Sequence, residues 1–231
     1  VDLLENLGTP AYKIASFEIT DIPLIEYVAS KGKPVIISTG IAGLDDIELA
    51  VETCRKAGND QIILLKCTSS YPAPIEEANL AMITDLAKRF GIIAGLSDHT
   101  LGITVPVAAT VLGARVIEKH FILDRSIGGP DASFSLDEKE FTAMVKAVRE
   151  AEVAVGKVDY TITEKMKKSR EFSRSLYVIK DIKAGEILTE QNIRSIRPGY
   201  GLHPKYYKEV MGKRAKVDLD KGTAIKKEHF K

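Results

Sequence analysis

Short runs of apolar, often β-branched residues alternate with amphipathic stretches over the first 155 residues of the chain. Runs that are apolar at almost every position are typical of parallel strands buried on both faces. The pattern predicts five strands, at residues 11–16, 34–39, 62–68, 92–97 and 114–121. Strands that alternate with helices in this way indicate right-handed βα units, and therefore a parallel sheet or barrel.

Two of the stretches between and after these strands have helical periodicity. Residues 44–57 begin with acids and are followed by a glycine, and their apolar stripe is Ile47, Ala50, Val51 and Cys54. Residues 138–155 repeat the spacing, with an apolar stripe of Phe141, Met144, Val145, Val148, Ala151 and Ala154. We expect an amphipathic helix over each range.

The spacing of the predicted strand ends favours one architecture. Successive ends are separated by 22, 30, 31 and 21 residues, counted from Ser16 through Ser38, Thr68 and His99 to His120. Each interval fits one βα unit of a (β/α)8 TIM barrel. Five units would leave two open sheet edges, which proteins normally avoid. We therefore expect residues 1–155 to be the C-terminal part of such a barrel, with about three units preceding it.

The character of the sequence changes after residue 155. Residues 156–172 are polar and charged, which is typical of a linker or extended arm. Residues 173–231 contain short alternating runs broken by KAGE and DKGT turns. We predict a small β-rich second domain there. The fold class is thus α/β, a partial TIM barrel followed by a β-rich domain.

Composition narrows the function classes. The formal net charge of the 231 residues is +1, so no long-range field would attract nucleic acid or an anionic membrane. No apolar run reaches the length of a membrane span, and the first residues lack the pattern of a signal peptide. The two cysteines, Cys54 and Cys67, have no CxxC spacing. These features predict a cytoplasmic protein without a disulfide framework.

Two histidines provide the strongest chemical signal. His99 and His120 fall at the C-terminal ends of the fourth and fifth predicted strands, at the end of the barrel where active sites are built. Neighbouring strand ends bring such side chains within reach of one divalent ion. Two imidazoles completed by oxygen ligands fit Mn²⁺ best, with Mg²⁺ or Co²⁺ as alternatives. The competing interpretation is two unrelated polar residues.

A lysine and a set of hydroxyls could bind an anion at the same end. Lys13 lies inside an apolar strand, where it either pairs with an acid such as Glu18 or Asp98 or faces an anionic ligand. The hydroxyls at strand ends are Ser16, Ser38, Thr39, Thr68 and Ser97. With the backbone amides of residues 38–40 they could hold phosphate or carboxylate oxygens, although each one alone is more often structural.

Two further charged features are candidates. The loop at residues 124–135 combines glycines and a proline with Arg125 and Asp131, and we expect it to be functional. In the second domain, Arg197 stands at a strand-to-turn junction. A surface arginine is usually only solvated, so its neighbourhood alone assigns it no role.

Six ordered motifs and a seventh in the second domain carry a family resemblance. They are KIASFE, KPVIISTG, LLKCTSSYPAP, GLSDHTLG, EKHF, GGPDASFSL and RPG. This series resembles that of the sialic acid synthase family over residues 1–231, without the family's first three barrel units. The resemblance implies a TIM barrel followed by an antifreeze-like (SAF) domain of the β-clip type. It also implies a domain-swapped homodimer, in which the SAF domain of one chain caps the barrel of its partner.

The resemblance implies a metal-dependent condensation of phosphoenolpyruvate with an open-chain amino sugar, giving a nine-carbon 2-keto acid and phosphate. The divalent metal, held by His99 and His120, would polarise the sugar aldehyde. The residues that match phosphoenolpyruvate-binding positions are Lys13, Ser16, Ser38 and Ser97. Tyr71 and Asp131 match sugar-side positions, and Arg197 matches an arginine that reaches the sugar site of the other subunit. A catalytic glutamate and a further lysine of the family would come from the absent N-terminal units, so the chain as given is expected to be inactive.

One departure from the family pattern bears on the substrate. Ser69 stands where N-acetylneuraminate synthases have an asparagine. Together with the segment RSIGGPDASFSL at residues 125–136, it makes the chain more similar to the branch that produces pseudaminic acid from 2,4-diacetamido-2,4,6-trideoxy-L-altrose. The neuraminate and legionaminate branches remain alternatives.

Two interpretations of other classes stay open. A Schiff-base aldolase on the same barrel would use Lys13 as its nucleophile and would need no metal. A non-enzymatic carbohydrate-binding or assembly module would rely on the second domain and would tolerate loss of His99 or His120.

Overall fold

The computed structural model describes all 231 residues, which divide into two compact units, Val1–Lys157 and Val158–Lys231. The first unit contains one five-stranded parallel sheet whose strands are β1 (Tyr12–Ile14), β2 (Val35–Ser38), β3 (Ile62–Cys67), β4 (Ile93–Asp98) and β5 (Ile117–Lys119). Its helices are α1 (Asp2–Asn6), α2 (Ile22–Ala29), α3 (Leu44–Lys56), α4 (Ala81–Phe90), α5 (Thr104–Val111) and α6 (Glu138–Val155). No helix of either unit is both long and apolar enough to cross a membrane.

The strands pair in chain order, so each βα unit adds the next strand to the same edge of the sheet. All four pairings are parallel, and the last register pairs Asp98 with Lys119. The predicted strands are confirmed, each within two or three residues at its ends. The predicted helix at 44–57 is confirmed as α3, and that at 138–155 coincides with α6. This sheet is the partial barrel that the strand spacing indicates.

Alternate residues of each strand pack outward against the helices. Ile14, Ile37 and Leu64 are fully buried in this layer with the predicted α3 stripe. Burial of such side chains is the main source of stability, at about 1.5–3 kcal/mol each. Because side chains alternate across a strand, the residues between them face the inner side of the sheet. The free thiol of Cys54 belongs to the outer core, and burial raises its pKa to about 11.

The apolar stripe predicted for α6 is buried only in part. Met144 is buried, whereas Val145 is 44% exposed and Ala154 lies open to solvent. The helix packs against α5, and β5 ends the sheet on that side, so no further helix covers its other flank. The amphipathic stripe predicted for this helix is therefore buried at Met144 and open to solvent toward the end of the helix.

The second unit is small and β-rich. Strands β6 (Ser175–Val178) and β7 (Ile193–Ile196) pair antiparallel, and isolated bridges join the rest of the unit. Its core is Leu176, Val178, Ile182, Leu188, Ile193, Val210, Ala215, Leu219 and Ile225. The KAGE and DKGT turns each place their glycine at positive φ, 89° at Gly185 and 94° at Gly222. Glycine adopts this conformation without steric cost, which explains both turns.

The segment predicted as a linker contains more structure than expected. Residues 164–169 form a short helix, α7 (Glu164–Ser169), and a single 3₁₀ turn follows at Arg170–Phe172. The Thr163 side chain accepts a hydrogen bond from the Met166 backbone N–H at 3.2 Å and so caps α7. The polar composition of this segment did not predict a helix, because the helix has no apolar stripe and is stabilised by its cap and by local ion pairs. A second short helix, α8 (Tyr207–Val210), lies later in the unit.

A buried asparagine ties together the connections that precede the strands. Asn59 is 2% exposed, and its amide donates to the carbonyl oxygens of Ala29 at 3.1 Å and Lys33 at 2.8 Å. Its side-chain oxygen accepts from the Gln61 backbone N–H at 2.9 Å. One side chain thus joins the end of α2, the start of β2 and the start of β3.

Replacement of Asn59 by Leu keeps the volume but removes the Asn59 partner of the Lys33 carbonyl and of the Gln61 backbone N–H, while the Ala29 carbonyl keeps its hydrogen bond from the Gly32 backbone N–H. We expect the free energy of unfolding to fall by about 3 kcal/mol, measured by urea denaturation followed by circular dichroism. Gln61→Met is the matched control, since the exposed Gln61 amide makes one bond, to the Gly32 carbonyl. It should change stability by no more than about 0.5 kcal/mol. If both substitutions lower the free energy of unfolding equally, the hydrogen bonds of Asn59 do not hold these connections together.

Candidate functional site

The carboxyl ends of the five strands carry a continuous polar surface on the inner side of the sheet. Strand alternation turns Lys13, Ser38, Cys67, Ser97 and Glu118 away from the helices and toward this surface. His99 and His120 continue the same alternation just beyond β4 and β5. In-register parallel pairing therefore brings residues that are far apart in sequence to one edge.

The two histidines lie next to each other. Their ring centroids are 5.2 Å apart, with the ring planes at 68°. Nδ1 of His99 is 2.9 Å from the Thr68 carbonyl oxygen, and Nδ1 of His120 is 3.4 Å from Oδ2 of Asp131. An imidazole that donates from Nδ1 keeps a lone pair on Nε2. Burial lowers the pKa of His99 below its usual value, which favours the neutral ring that can act as a ligand.

Aromatic rings enclose the histidine pair. The ring centroid of Tyr71 is 4.3 Å from that of His99 and 6.2 Å from that of His120. The ring centroid of Phe134 is 5.0 Å from that of His120 and 5.6 Å from that of Tyr71. Burial raises the pKa of Tyr71, so its hydroxyl stays protonated and can donate a hydrogen bond. Tyr71 is 44% exposed, which leaves part of its ring open to a ligand.

The donor set fits a metal ion only with open positions. No group of three or more His, Cys, Asp or Glu side chains is placed to hold a metal. His99 and His120 could supply two nitrogen ligands, and water or substrate oxygens would have to complete the coordination. Open positions of this kind are characteristic of catalytic rather than structural metal sites. The donor chemistry therefore fits a divalent ion of the kind predicted from sequence.

Lys13 has a partner other than those predicted. Its Nζ lies 3.6 Å from Oε1 of Glu118, and its side chain is 32% exposed. Lys13 thus pairs with an acid, as one of the two alternatives held, but neither of the acids suggested for that alternative, Glu18 or Asp98, is the partner. Glu18 accepts a hydrogen bond from the backbone of its own turn at 2.9 Å. Asp98 lies on the opposite face of the sheet, because strand alternation separates it from the inner surface.

Glu118 is a site residue that the sequence analysis missed. Its Oε1 accepts a hydrogen bond from the Ser97 hydroxyl at 2.6 Å as well as facing Lys13. The spacing within EKHF held the signal, since Glu118 precedes His120 by two residues and so shares its face. The acid links the lysine of β1 to the hydroxyl at the end of β4.

The predicted hydroxyls divide into those at the inner surface and those used by the fold. Ser69 donates to Ser16 at 2.9 Å, and the Ser16 oxygen also accepts from the backbone N–H of Ile41 at 3.0 Å. The hydroxyl of Ser38 is buried and has no hydrogen-bond partner. A buried hydroxyl without a partner carries a desolvation cost that a ligand oxygen would offset.

Two other hydroxyls are engaged in the scaffold. Thr39 donates to the Leu65 carbonyl oxygen at 3.2 Å. The Thr68 hydroxyl donates to the Glu77 carbonyl at 3.0 Å and accepts from Lys66 at 2.9 Å. Thr68 thus meets the site through its carbonyl rather than through the hydroxyl that the sequence singled out. The sequence analysis did not predict that Lys66 would bond to the Thr68 hydroxyl. In the sequence, a buried lysine of β3 cannot be told from an exposed lysine at the edge of a strand.

The loop at residues 124–135 contributes one residue to the site and one to the scaffold. Asp131 faces His120, as described. Arg125 instead donates to the Ser135 carbonyl at 2.8 Å and pairs with Glu140, which anchors the loop to the start of α6. The predicted pair of charged groups therefore has two separate tasks.

Arg197 belongs to the second unit. It ends the segment that follows β7, precedes a cis proline peptide bond, and lines a surface cavity of about 680 Å³ with Met166 and Phe172 among other residues. Arg197 is exposed and shares this cavity with apolar and basic side chains of its own unit.

Two known protein-family models match this chain, one over each part of it. Residues 1–160 match the model of the NeuB family, and residues 173–231 match that of the SAF domain. The chain belongs to the NeuB family. This confirms the resemblance drawn from the motifs, including the antifreeze-like second domain.

Relatives of known name are similar over the whole chain. It is 48% identical over 231 residues to pseudaminic acid synthase of Campylobacter jejuni subsp. jejuni, covering 100% of this chain and 67% of that protein. It is 49% identical over 226 residues to pseudaminic acid synthase of Helicobacter pylori, covering 97% of this chain and 66% of that protein. The chain thus spans about two thirds of the length of these NeuB relatives.

A solved structure supports the fold. The spore coat polysaccharide biosynthesis protein spsE of Bacillus subtilis superposes with a TM-score of 0.65 at 37% identity, covering 100% of this chain and 70% of that chain. The partial (β/α) barrel followed by a SAF domain is therefore an architecture that the NeuB family shares.

Gly40 lies against the hydroxyl cluster of this NeuB site and provides a steric test. A Cβ at Gly40 would lie 2.2 Å from the Ser69 hydroxyl and 2.7 Å from that of Ser16. We expect Gly40→Ala to separate the two serines and to lower the free energy of unfolding by about 1–3 kcal/mol. Thermal or urea denaturation measures the loss.

Gly43→Ala is the matched control for this substitution. A Cβ at Gly43 would meet its nearest atom, a carboxylate oxygen of Asp46, at an ordinary 3.6 Å, and its φ of −76° suits alanine. Because Gly43 is the N-cap of α3, where glycine is preferred to alanine, this variant should lose about 0.5–1 kcal/mol. If Gly40→Ala costs no more than this control, the serines are not packed as described.

Proposed function

We propose that this protein is the major part of a sugar-acid synthase that condenses phosphoenolpyruvate with an amino sugar in a metal-dependent reaction. The observation that carries the proposal is the pair of histidines, 5.2 Å apart, at the ends of adjacent strands. A cation and several hydroxyls lie at the same edge of the sheet. Membership of the NeuB family, whose relatives named above are synthases, supports this reaction class.

The proposed reaction forms one carbon–carbon bond and breaks one carbon–oxygen bond. C3 of phosphoenolpyruvate attacks the aldehyde carbon of the open-chain sugar, and the aldehyde oxygen takes up a proton to become a hydroxyl. Water then adds at C2, and the resulting adduct expels phosphate with C–O cleavage. Three carbons and six carbons give a nine-carbon 2-keto acid plus phosphate. A divalent ion, when bound, supplies Lewis-acid polarisation of the aldehyde.

The chain's own residues bind and orient the two substrates. His99 and His120 would hold the ion through Nε2, since each Nδ1 faces a protein oxygen. Mn²⁺ is the ion we favour, because imidazole with oxygen ligands suits it. Lys13, Ser16, Ser38 and Ser97 are assigned to the phosphate and carboxylate oxygens of phosphoenolpyruvate. The unpartnered hydroxyl of Ser38 supports this assignment, since it is ready to donate to such an oxygen.

The sugar is assigned to the aromatic side of the site. Tyr71 and Asp131 flank the histidines there, with Thr68 and Ser69 on the loop that carries Tyr71. The product branch we favour is pseudaminic acid, made from 2,4-diacetamido-2,4,6-trideoxy-L-altrose. Two observations support it, the 48% and 49% identity to proteins of that name and the serine at position 69. N-acetylneuraminate or legionaminate synthesis is the alternative.

A homodimer is part of the proposal. By the family resemblance, the SAF domain of one chain would cap the barrel of the other, and Arg197 would reach the partner's sugar site. Its guanidinium, beside a surface cavity in the second unit, is suited to a polar group on an otherwise weakly polar sugar.

The Schiff-base alternative has weaker support. Lys13 faces the Glu118 carboxylate at 3.6 Å, and an ammonium held in this way is a poor nucleophile until it loses its proton. That mechanism also assigns no task to the histidine pair. Borohydride trapping of a pyruvate adduct on Lys13 would favour it over the proposal.

Phosphate release provides the direct test. The chain, preceded by the N-terminal barrel segment of a NeuB relative, would be incubated with Mn²⁺, phosphoenolpyruvate and either the altrose derivative or N-acetylmannosamine. We expect release with the altrose sugar and its loss with EDTA. His120→Ala should lower the rate by about a hundredfold or more, because a Lewis acid contributes several kcal/mol to the barrier.

His229→Ala is the control, since this histidine lies in the second unit and its contacts are local, a hydrogen bond accepted from the Lys226 backbone N–H and a 3.9 Å contact with Glu228. It should leave the rate unchanged. Release with N-acetylmannosamine alone would move the protein to the neuraminate branch. A folded dimer that releases phosphate with neither sugar would overturn both assignments.

A further inference from the structure

A fully buried ion pair lies directly behind the two histidines. Nζ of Lys119 is 2.6 Å from Oδ2 of Asp98, and the two side chains are 0% and 1% exposed. Asp98 immediately precedes His99, and Lys119 immediately precedes His120. The two charged residues are also the last register pair between β4 and β5.

The pair is closed by backbone groups. Lys119 also donates to the Thr100 carbonyl oxygen, and the Thr100 backbone N–H donates to Oδ1 of Asp98 at 3.0 Å. Asp98, Thr100 and Lys119 therefore form a triangle of charge-assisted hydrogen bonds. This triangle fastens the end of β5 to the turn that follows β4.

Its position separates the pair from any ligand. Successive side chains of a strand point to opposite faces, so Asp98 and Lys119 face the helical layer while the histidines face the site. The ion pair cannot contact substrate or metal. Any effect on the site must pass through the backbone of the two residues that carry the imidazoles.

Stability alone does not account for such a pair. Desolvation of two buried charges offsets most of their attraction, and an apolar pair of similar volume is often equally stable. Buried ion pairs are better attested as devices that specify one register. Here β5 has three residues and forms three register pairs with β4. The Leu136 backbone N–H donates to the His120 carbonyl at 2.9 Å just beyond β5, and the ion pair links the ends of β4 and β5 on the outer face.

We infer that the Asp98–Lys119 ion pair is a positioning element that holds the His99 and His120 imidazoles at the separation one divalent ion requires. This inference rests on the proposed metal-dependent function. Asp98 and Lys119 touch neither a ligand nor the reacting atoms. They set the positions of His99 and His120, which would contact the ion. Supporting residues of this kind typically change metal affinity by about 10–100-fold when they are replaced.

The experiment measures Mn²⁺ binding to the chain itself, with the metal alone as ligand, by calorimetry or by the electron paramagnetic resonance of free Mn²⁺. Asp98→Asn and Lys119→Met each leave one buried charge unpaired and should weaken binding. The double variant with both substitutions removes both charges at nearly constant volume. We expect it to recover thermal stability while its Kd for Mn²⁺ stays about 10–100-fold above that of the unchanged chain.

Leu86→Ala is the matched control. Leu86 is 2% exposed in the outer core on α4, away from the histidines, and its truncation lowers stability through a cavity. Its Kd should stay within about twofold at temperatures where the protein is folded. A double variant that recovers metal affinity together with stability would overturn the inference, since the pair would then be structural only.

A second measurement, on the metal-free protein, tests the positions of the imidazoles without depending on how much Mn²⁺ is bound. Side-chain ¹⁵N resonances report the tautomer of each imidazole, and the Nδ1 contact of His99 with Thr68 predicts one dominant tautomer in the unchanged chain. The double variant should show mixed or broadened ring signals for His99 and His120. Unchanged ring signals in the folded double variant would contradict positioning.

The outcomes separate the inference from the function on which it rests. If the unchanged chain binds no Mn²⁺ and none of the other divalent ions considered, the metal site itself fails and the inference fails with it. If the unchanged chain binds Mn²⁺ and the double variant binds it equally well, the inference alone fails.

Discussion

In-register pairing of five parallel strands is the constraint on which the rest of the molecule depends. Because each strand ends at the same edge, Lys13, Ser97 and Glu118 meet there although more than 100 residues separate the first from the last. The same pairing places His99 beside His120. Without that register, the polar residues of this surface would be scattered single charges and hydroxyls.

Alternation within each strand then gives the two faces of the sheet different tasks. The outer face carries the apolar core and the buried Asp98–Lys119 pair, and the inner face carries the groups that can reach a ligand. A change on the outer face can thus alter the inner one only through the backbone. The loops supply the remaining control, since the Thr68 carbonyl and the Asp131 carboxylate each face one imidazole.

The hydrogen bonds at the inner face leave several groups of the site free to bind a ligand. Imidazoles whose Nδ1 atoms face protein oxygens offer Nε2 to a ligand, and the burial of His99 favours its neutral form. The hydroxyl of Ser38 is buried without a partner, and Ser16 and Ser69 bond to each other. A surface prepared in this way suits an anionic substrate and a divalent ion, which is the chemistry proposed for this NeuB-family chain.

Local sequence determined the elements, because strand and helix periodicity depend on neighbouring residues; the five strands, α3 and α6 follow from it. The motif series also determined the family. Tertiary structure alone decided which charges meet. It gave Lys13 the partner Glu118 rather than Glu18 or Asp98, and it turned the Thr68 hydroxyl away from the site. The burial of α6 was likewise decided by its neighbours, because a helix face is covered only where another element packs against it. Partner choice between distant side chains depends on strand register and facing, which no local pattern contains.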